Sequence, residues 1–357
     1  MSGSLALPAR AIRRPALLPL AGLLLVAAML AGVTLGPARV GPDGLLAVLA
    51  DLLGLAPLPA EHARDAAVLG VIRAPRVLMA ALVGAGLGAA GAAMQGLFRN
   101  PLADPGLIGV SAGAALAAVA AIVLGGSLFG AAAGWLGLWL LPLAAFAGGL
   151  AATLAMARLG AVGGVSSVAT LLLAGIAVNA LAGALTGMLI FMADDRQVRD
   201  ITFWTLGSLA GASWAQLPVV LVLVGLPAFL LCLLARPLNA LLLGEAEAFH
   251  LGTRVENVKR LAVVLSAAAV AAGVGFTGLI GFVGLVVPHL VRLGFGSDHR
   301  LVLPGAALLG GALLVIADLL ARSLAVPAEL PVGVVTALLG APFFLWLLRH
   351  RAAGSSG

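Results

Sequence analysis

Long apolar runs, separated by short polar breaks, dominate the pattern of the chain. Runs of about 20 apolar residues recur along most of the sequence, which is the length that an α-helix needs to cross the hydrocarbon core of a bilayer. The runs do not alternate apolar and polar positions as the strands of a membrane barrel do. Because a helix satisfies its own backbone hydrogen bonds in lipid, the pattern predicts about ten transmembrane helices. They lie near residues 16–36, 76–96, 106–125, 137–157, 168–190, 214–235, 260–278, 280–296, 302–320 and 332–348.

Two of these spans leave alternatives open. Arg10, Arg13 and Arg14 precede the first run, as in a secretory signal peptide. The run is longer than a usual signal core, however, and no small-x-small cleavage site follows it, so an uncleaved first span is preferred. The glycine-rich stretch from Ala271 to Gly296 is also compatible with one span followed by a broken one.

The composition agrees with an all-α polytopic membrane protein. Of the 357 residues, 62% are hydrophobic and 10% are charged, and the mean hydropathy is +1.17, whereas soluble domains carry about 25% charged residues. The net charge of +6 does not indicate nucleic-acid binding, because the basic residues are dispersed at the ends of apolar runs. The single cysteine, Cys232, excludes an internal disulfide framework and most thiolate metal sites.

The basic residues at the ends of the runs predict the orientation in the membrane. An even number of spans places both termini on one side, and cytoplasmic loops carry the excess of lysine and arginine. On the proposed cytoplasmic side lie Arg10, Arg13, Arg14, Arg99, Arg158, Arg236, Arg254, Lys259, Arg260, Arg292, Arg300, Arg349 and Arg351. On the opposite side lie Arg39, Arg64, Arg73, Arg76, Arg196, Arg199 and Arg322. The first group is the larger, so we expect both termini to be cytoplasmic.

Glycine is frequent, and two groups of glycines leave one face of a predicted helix nearly bare. The first contains Gly84 and Gly88, four residues apart. The second consists of Gly275, Gly278, Gly281 and Gly284. Small residues let helices in lipid approach closely, so we expect helix packing at both groups. An interface that moves during function is the alternative.

The first polar break, FRNPLADPG, separates two apolar runs between Phe98 and Gly106. Pro101 and Pro105 disfavour helix at the residues before them, and Asp104 is a good helix N-cap. The segment therefore predicts a tight cytoplasmic turn, with Asp104 capping the helix that follows.

The longest polar break on the same side, from Arg236 to Arg260, predicts two short amphipathic helices. Asn239 is placed to begin the first, Gly244 separates the two, and Gly252 is a natural C-cap for the second. Helices of this kind between membrane spans are suited to binding by a soluble partner. An ordinary solvated loop is the alternative.

A third break, from Phe191 to Trp214, lies on the outer side and mixes charges with Phe203 and Trp204. Its sequence TLGSLAG is typical of a short helix folded back towards the membrane. The segment is equally consistent with a funnel wall at a pore mouth and with an interfacial helix that carries belt aromatics.

The sequence lacks the H-E-x-x-H zinc motif and the phosphate loop G-x-x-x-x-G-K-S/T. Any ATP would therefore be hydrolysed by another chain. The histidines are scattered, which argues against a histidine metal cluster. Asp318 is the nearest residue to an intramembrane charge, and a proton-coupled carrier usually needs more such groups.

The stretch RAPRVLMAALVGAGLGAAGAAMQGLFRNPLADPGLIGVSAGAAL resembles the signature of the FecCD family, the permeases of bacterial ABC importers for siderophores, haem and cobalamin. The resemblance continues in order through LLLAG, LLLGEAEAFHLG, GLIGFVGLVVPHLVRL, DHRLVLPGAALLGG and AELPVGVVTALLGAPFFLWLL. It covers the chain from about Val71 to Leu348 without large gaps. The aromatic-rich segment RDITFWTLGSLAGASW looks more like haem permeases than cobalamin permeases.

The resemblance implies a type II ABC importer permease, a homodimer in the bacterial inner membrane. Two ATP-binding cassette subunits would dock on the cytoplasmic side, and a periplasmic binding protein would deliver substrate from outside. ATP would be used by the partner subunits, and no cofactor would be bound permanently. Haem is the expected substrate, ferric-siderophore import is the main alternative and cobalamin import is a lesser one. Outside the family, the alternative is an ATP-independent secondary carrier.

We expect a single transmembrane permease domain over residues 1–350. Its segments would be an outer loop at 37–75, a cytoplasmic hinge and gate at 97–105, an outer re-entrant segment at 191–213 and cytoplasmic coupling helices at 236–260. A flexible tail would follow at 351–357.

The resemblance also implies roles for individual residues. The cytoplasmic gate would consist of Asn100 and Leu102 opposed by Ser167, Val168 and Ala169, of which the last two are apolar. Coupling to the ATPase would use Gly244, Glu245, Glu247, Leu251 and Gly252. The outer funnel wall would consist of Arg199, Phe203 and Trp204. Docking of the binding protein would use Arg73, Arg76 and Arg322 in exposed ion pairs, and contact with outer-leaflet lipid is the alternative for these arginines.

Overall fold

The structure is a computed structural model that describes residues 17–128, 137–162 and 165–354. Arg10, Arg13 and Arg14, which the topology prediction used, lie outside the described residues. The last helix continues to Gly354, into the segment expected to be a flexible tail, and residues 355–357 lie outside the described residues.

The described chain consists of helices joined by loops and turns, with one short hairpin. The α-helices, numbered in chain order, are α1 (Leu17–Thr34), α2 (Pro42–Leu52), α3 (Ala63–Ala66), α4 (Ala74–Leu97), α5 (Val110–Leu128), α6 (Leu140–Leu159), α7 (Val168–Phe191), α8 (Asp195–Leu206), α9 (Leu217–Val220), α10 (Leu226–Leu233), α11 (Ala235–Leu243), α12 (Glu245–His250), α13 (Val255–Thr277), α14 (Val283–Phe295), α15 (His299–Ser323) and α16 (Val332–Gly354). Segments of 3₁₀-helix lie at Ala60–His62, Pro105–Ile108 and Gly137–Trp139, and π-helical segments lie at Ala67–Arg73 and Leu221–Gly225. The hairpin pairs β1 (Ala161–Val162) with β2 (Val165–Ser166) in antiparallel fashion.

The predicted spans are confirmed as helices. By length and apolar composition, the described residues contain six helices able to cross a membrane, one pair bent by 53° at the α10–α11 junction, and three shorter apolar helices. Each of the ten predicted spans corresponds to one of these. The stretch from Ala271 to Gly296 divides between α13 and α14. At 13 residues, α14 is about 20 Å long, which is too short to cross the hydrocarbon core by itself.

Bare glycine faces let α4 pack directly against its neighbours at the centre of the subunit. A Cβ placed on Gly88 would overlap the carbonyl of Ala306 in α15, and one on Gly91 would overlap the carbonyl of Gly284 in α14. Helices in lipid approach this closely only through small residues, so the predicted packing is confirmed here. Gly281 is an exception, because a Cβ there would meet open space.

The spans differ in how much of their surface the subunit itself covers. Within its most apolar window, 78% of the span that contains α4 is buried, against 17% for α7. Most of α7 is therefore available to lipid or to a second polypeptide.

Two expected loops contain helices. The outer loop at 37–75 holds α2, and from Ala60 onwards it is continuous with α4 in a 38-residue helical stretch. The segment at 191–213 holds α8 and then folds back, because the Ser208 amide donates to the Thr277 carbonyl at the end of α13. The outer polar segments are therefore more regular than the sequence suggested.

The polar segment at 236–260 folds as predicted in outline, with one correction. The first short helix, α11, begins at Ala235, and Asn239 lies inside it rather than at its start. Gly244, with φ 128°, separates α11 from α12, and Gly252, with φ 80°, lies in the turn after α12. Both backbone conformations favour glycine.

Candidate functional site

Polar side chains collect at the two ends of the helix bundle. We call the end that holds residues 97–105 together with α11 and α12 the hinge end. The end that holds Arg73, Arg76 and Arg322 is called the arginine end. The two ends correspond to the cytoplasmic and outer sides of the predicted topology.

The hinge, residues 97–105, is a turn held by its own side chains. Asn100 Oδ1 accepts a hydrogen bond from the Leu102 amide at 2.9 Å, and Asp104 Oδ1 accepts one from the Gly106 amide at 2.7 Å. Asp104 therefore caps the 3₁₀-helix that follows, as predicted. Burial raises the pKa of the Asp104 carboxyl, although the hydrogen bond from Gly106 opposes this shift. The Leu102 side chain is exposed and available for contact outside this chain.

The helix before the hinge is anchored by a pair of side chains that the sequence reasoning missed. The Arg292 guanidinium of α14 donates to Gln95 Oε1 in the last turn of α4. Gln95 Nε2 donates in turn to the Leu285 carbonyl at 3.2 Å. A glutamine at the end of a long apolar stretch, residues 77–94, was the available signal, because a buried amide needs hydrogen-bond partners.

The second predicted gate element is the start of α7. The Ser167 hydroxyl accepts a hydrogen bond from the Thr170 amide at 3.1 Å, and the Thr170 hydroxyl accepts one from the Ser167 amide at 3.1 Å. This reciprocal capping box fixes the first turn, which contains Val168 and Ala169. Because α7 packs against the 3₁₀-helix that follows the hinge, the structure brings both predicted gate elements to the hinge end.

Exposed apolar side chains lie at the end of α11, in α12 and directly after α12. Leu243, Phe249 and Leu251 are each 66–70% exposed at the hinge end. An apolar patch of this kind suits contact with another polypeptide. The Glu247 carboxylate lies next to Gly244, whose φ of 128° favours glycine at that position.

Glu245, at the start of α12, is tied to the helix bundle by a buried lysine. The Lys259 ammonium of α13, whose side chain is 3% exposed, lies 2.7 Å from Glu245 Oε2 and 2.8 Å from Glu256 Oε1. It also donates to the Ser166 carbonyl at 2.6 Å. The Ser166 hydroxyl donates to Glu256 Oε2 at 2.9 Å. The sequence did not reveal this network, which we call the Lys259 network, because its members lie as far as 93 residues apart.

Asn239 joins α11 to the N-terminus of α15. Its Nδ2 donates to Asp298 Oδ1 at 2.7 Å, and its Oδ1 accepts a hydrogen bond from the His299 amide at 2.9 Å. Asp298 is the N-cap of α15 and also accepts from the Arg300 amide at 2.9 Å. The hydrogen bonds from the Arg300 amide and from Asn239 hold the pKa of the Asp298 carboxyl below its usual value.

The three arginines predicted for docking are buried in the subunit. Arg73, Arg76 and Arg322 are 3%, 7% and 3% exposed, so the expectation that they lie exposed is wrong for this chain. Arg76 binds Asp318 through Nε at 2.9 Å and through Nη2 at 2.8 Å. Its Nη1 lies 2.9 Å from Glu329, which is 40% exposed and connects the cluster to the surface. A docking role for the three arginines stays a prediction.

The other two arginines of this cluster cap the end of α1. Arg73 Nη1 donates to the carbonyls of Val33 and Thr34, at 3.0 and 2.8 Å. Arg322 donates to the carbonyl of Gly32. The last carbonyls of a helix have no partner within it, and cations there are favoured by the helix dipole. The two side chains therefore have a structural task that the sequence reasoning missed.

The predicted outer wall residues do not form one exposed surface. Arg199 and Phe203 on α8 are exposed, Phe203 by 68%. Trp204 is half-buried and packs against the hydrophobic core. Only the first two side chains are therefore open to a ligand on the outer side.

One sequence pattern at the hinge end also matches a motif that carries a nucleophilic serine in enzymes. The stretch GVSAG, residues 109–113, matches the nucleophile motif G-x-S-x-G. Ser111 lines a cavity of about 190 Å³ whose wall contains Asp104 and no histidine. Within the part of the chain that the structure describes, no group of three or more His, Cys, Asp or Glu side chains is placed to hold a metal ion.

Comparisons with known proteins agree on one family. The model of the FecCD transport family matches residues 23–350. The hemin transport system permease protein HmuU of Yersinia pestis is 50% identical over 287 residues, which cover 80% of this chain and 84% of that protein. The cobalamin import system permease protein BtuC of Halobacterium salinarum is 46% identical over 284 residues, covering 80% and 74%. The vitamin B12 import system permease protein BtuC of Salmonella paratyphi A is 42% identical over 316 residues, covering 86% and 94%.

One solved structure is similar in fold over nearly the whole chain. It is described as an inward-facing conformation of a metal-chelate type ABC transporter. It is 32% identical to this chain and superposes with a TM-score of 0.80, covering 94% of this chain and 99% of its own. The expected type II importer fold is therefore confirmed.

Proposed function

The chain belongs to the FecCD transport family and is a permease subunit of an ABC importer, and we propose that the substrate it moves is haem. The observation that supports haem is the identity of 50% with the hemin permease, against 46% and 42% for the two cobalamin permeases. Phe203 and Arg199 add an exposed ring and a cation one helical turn apart on α8. These groups suit a flat macrocycle that carries carboxylates.

Two other substrates remain candidates, each for a stated reason. Cobalamin is favoured by the similarity to the two cobalamin permeases. A ferric siderophore is favoured by the similar fold of the metal-chelate type transporter. Both would be moved by the same machinery, so the proposed partners and gate do not depend on the choice.

The partners follow from the family and from the exposed surfaces. We place two ATP-binding subunits at the hinge end, where Leu243, Phe249 and Leu251 are exposed. A second copy of this chain would complete the path, and α7 leaves most of its surface open for it. Because α1 ends among the arginine-end side chains, its start lies at the hinge end, which is consistent with a cytoplasmic N-terminus.

Transport would proceed by alternating access. Closure of the ATP-binding subunits would displace α11 and α12, and rigid tilts of the attached helices would move the two gate elements apart or together. ATP shifts this equilibrium only as far as it binds the two states with different affinity. The gate residues would be Asn100 and Leu102 of the hinge opposed by the first turn of α7.

The binding protein would dock at the arginine end. Three guanidiniums and two carboxylates, those of Asp318 and Glu329, leave the cluster with one excess positive charge. Acidic side chains of the binding protein would compete with Glu329 for Arg76 Nη1. Docking measured at rising ionic strength tests this assignment, because charge-based docking weakens with salt and an unchanged affinity contradicts it.

The substrate is tested with the complete transporter in proteoliposomes. ATP-dependent uptake and stimulation of ATP hydrolysis are measured for haem, a ferric siderophore and cobalamin, each delivered by the binding protein of this system. We expect haem to be accumulated and to stimulate hydrolysis most. Accumulation of cobalamin or siderophore without accumulation of haem contradicts the proposal, and accumulation without an ATPase subunit contradicts the ABC mechanism.

A matched pair of variants tests the outer wall. Phe203→Ala removes the exposed ring on α8, and Phe229→Ala removes a similarly exposed ring, 61% exposed, on the apolar helix α10. We expect reduced haem uptake for the first variant and unchanged uptake for the second. Equal uptake in both would place the substrate path away from α8.

A further inference from the structure

We propose that Lys259 is the positioning residue that links coupling helix α12 to the gate element at the start of α7. The inference rests on the proposed function, in which α12 receives motion from an ATP-binding subunit. The Lys259 network joins Glu245, the first residue of α12, to Ser166, which directly precedes the N-cap of α7. Two segments that the sequence analysis assigned separately to coupling and to gating are therefore joined by one side chain.

The ammonium group uses its full hydrogen-bonding capacity in this network. A lysine ammonium has three N–H donors and no acceptor. Its three acceptors lie within 2.8 Å, and each belongs to a different element: Glu245 to α12, Glu256 to α13 and Ser166 to β2. Charge-assisted hydrogen bonds are shorter and stronger than neutral ones. If α12 moved away from β2, a strong contact of the Lys259 ammonium would have to break.

Ser166 is held through its carbonyl and its hydroxyl. Its carbonyl accepts from Lys259 at 2.6 Å, and its hydroxyl donates to Glu256 Oε2 at 2.9 Å. The next residue, Ser167, is the N-cap of α7 and is locked to Thr170 by the capping box. A displacement of Ser166 is therefore passed to the N-terminus of α7 without a flexible residue in between.

The rest of α12 offers little other attachment to the bundle. Among its residues, Ala248 is the one that is buried, and Phe249 is exposed. Apolar packing therefore fixes the helix weakly, and the ion pair between Glu245 and Lys259 supplies the specific contact. Buried ion pairs are often no more stabilising than apolar side chains of similar volume. The distinct contribution of the charge here is a directional joint.

The test uses the complete transporter with its ATP-binding subunits. Lys259→Met removes the ammonium and keeps an unbranched side chain. Arg158→Met is the control, since it removes one exposed positive charge at the hinge end, in the last turn of α6 and outside the coupling segment 236–260. Haem uptake per ATP hydrolysed is measured for both variants and for the unmodified complex. We expect hydrolysis to persist and the uptake ratio to fall about five-fold or more in Lys259→Met alone. Lys259→Arg, which keeps the charge, should restore part of the ratio.

A second readout follows the joint directly and needs no substrate. Spin labels are placed at the exposed positions Ala169, in the first turn of α7, and His250, at the end of α12, in a Cys232→Ala background. With the joint intact, we expect the distance between the labels to stay constant when ATP is added. In Lys259→Met, α12 moves without the gate element, so the distance should change or broaden.

The outcomes separate this inference from the substrate assignment. A complex that does not accumulate haem rejects haem as the substrate, but the ATP-dependent distance still decides the joint. If Lys259→Met does not assemble, Glu245→Ala cuts only the α12 side of the network and is measured in the same way. A variant that severs the network but keeps both the uptake ratio and the constant distance overturns the proposal.

Discussion

Removal of the Arg76 guanidinium is expected to destabilise the subunit more than removal of Arg76 and Asp318 together. Asp318 is 1% exposed. The short contacts of its carboxylate are with Arg76, at 2.8 Å from Nη2 and 2.9 Å from Nε. After Arg76→Met, the cation nearest to the Asp318 carboxylate is Arg322, whose Nε lies 3.6 Å from Asp318 Oδ2. A carboxylate far from water with one long contact is a poorly compensated charge.

The magnitude follows from the burial of this pair. Removing one partner of a buried ion pair costs about 3–5 kcal/mol, whereas replacing both partners by apolar side chains is often neutral or stabilising. Arg76→Met should therefore cost about 3–5 kcal/mol. Arg76→Met combined with Asp318→Leu should recover most of that loss. Recovery is incomplete because Arg322 loses Asp318 as its partner in the double variant. Glu329 loses Arg76, but it is partly exposed and therefore remains solvated.

The assay is the thermal midpoint of the detergent-purified subunit, followed by the loss of the monodisperse peak in size-exclusion chromatography. The two single variants and the double variant form a double-mutant cycle, which isolates the interaction between the two side chains. Arg64→Met removes an exposed arginine from the same end of the bundle and serves as the control with an unchanged midpoint. A double variant as unstable as Arg76→Met, or a single variant as stable as the unmodified protein, would refute the reasoning.

Two further predictions concern the packing of α4 and the cap of α15. Gly88→Val should prevent accumulation of monodisperse protein, because the new side chain overlaps the backbone of Ala306. In the control variant Gly22→Val the new side chain meets open space, so this variant should express normally. Equal yields of the two variants would contradict the packing described here. The pKa of Asp298 is lowered in the folded state, so its charge stabilises the fold above the ordinary value near pH 4 and this contribution is lost as the pH falls through the lowered pKa. Asp298→Asn should therefore lower the thermal midpoint at pH 7 and make the midpoint fall less steeply below about pH 4. If the midpoint of the variant falls below about pH 4 as steeply as that of the unmodified protein, the charged cap by Asp298 is contradicted.

Much of the architecture is readable from the chain because it depends on local composition. A run of about 20 apolar residues has one stable form in lipid, a helix that pairs its own backbone groups. The hinge is equally local, since Pro101 and Pro105 break the helix and Asp104 caps the next one within two residues. The same holds for Gly244 and Gly252, whose backbone angles end the short helices.

The predictions failed where a side chain has two possible environments. A sequence shows that Arg73, Arg76 and Arg322 stand near the ends of spans, but it does not show whether water, lipid or another helix meets them. Here the end of α1 folds against two of them, and Asp318 pairs with the third. Burial was decided by the helix neighbours. The same reason explains why Trp204 packs inward while Phe203, one position earlier, stays exposed.

By itself, the sequence determined the helices, their breaks and the turn residues, because each of these depends on interactions within a few residues. It also determined the family, since long motifs recur in order. Only the tertiary structure decided which distant polar groups meet, as when Lys259 reaches Ser166 across 93 residues or Arg76 reaches Asp318 across 242. A buried charge must find its partner wherever the packing of helices places one, and that packing is set by the fit of whole helix faces rather than by any local pattern.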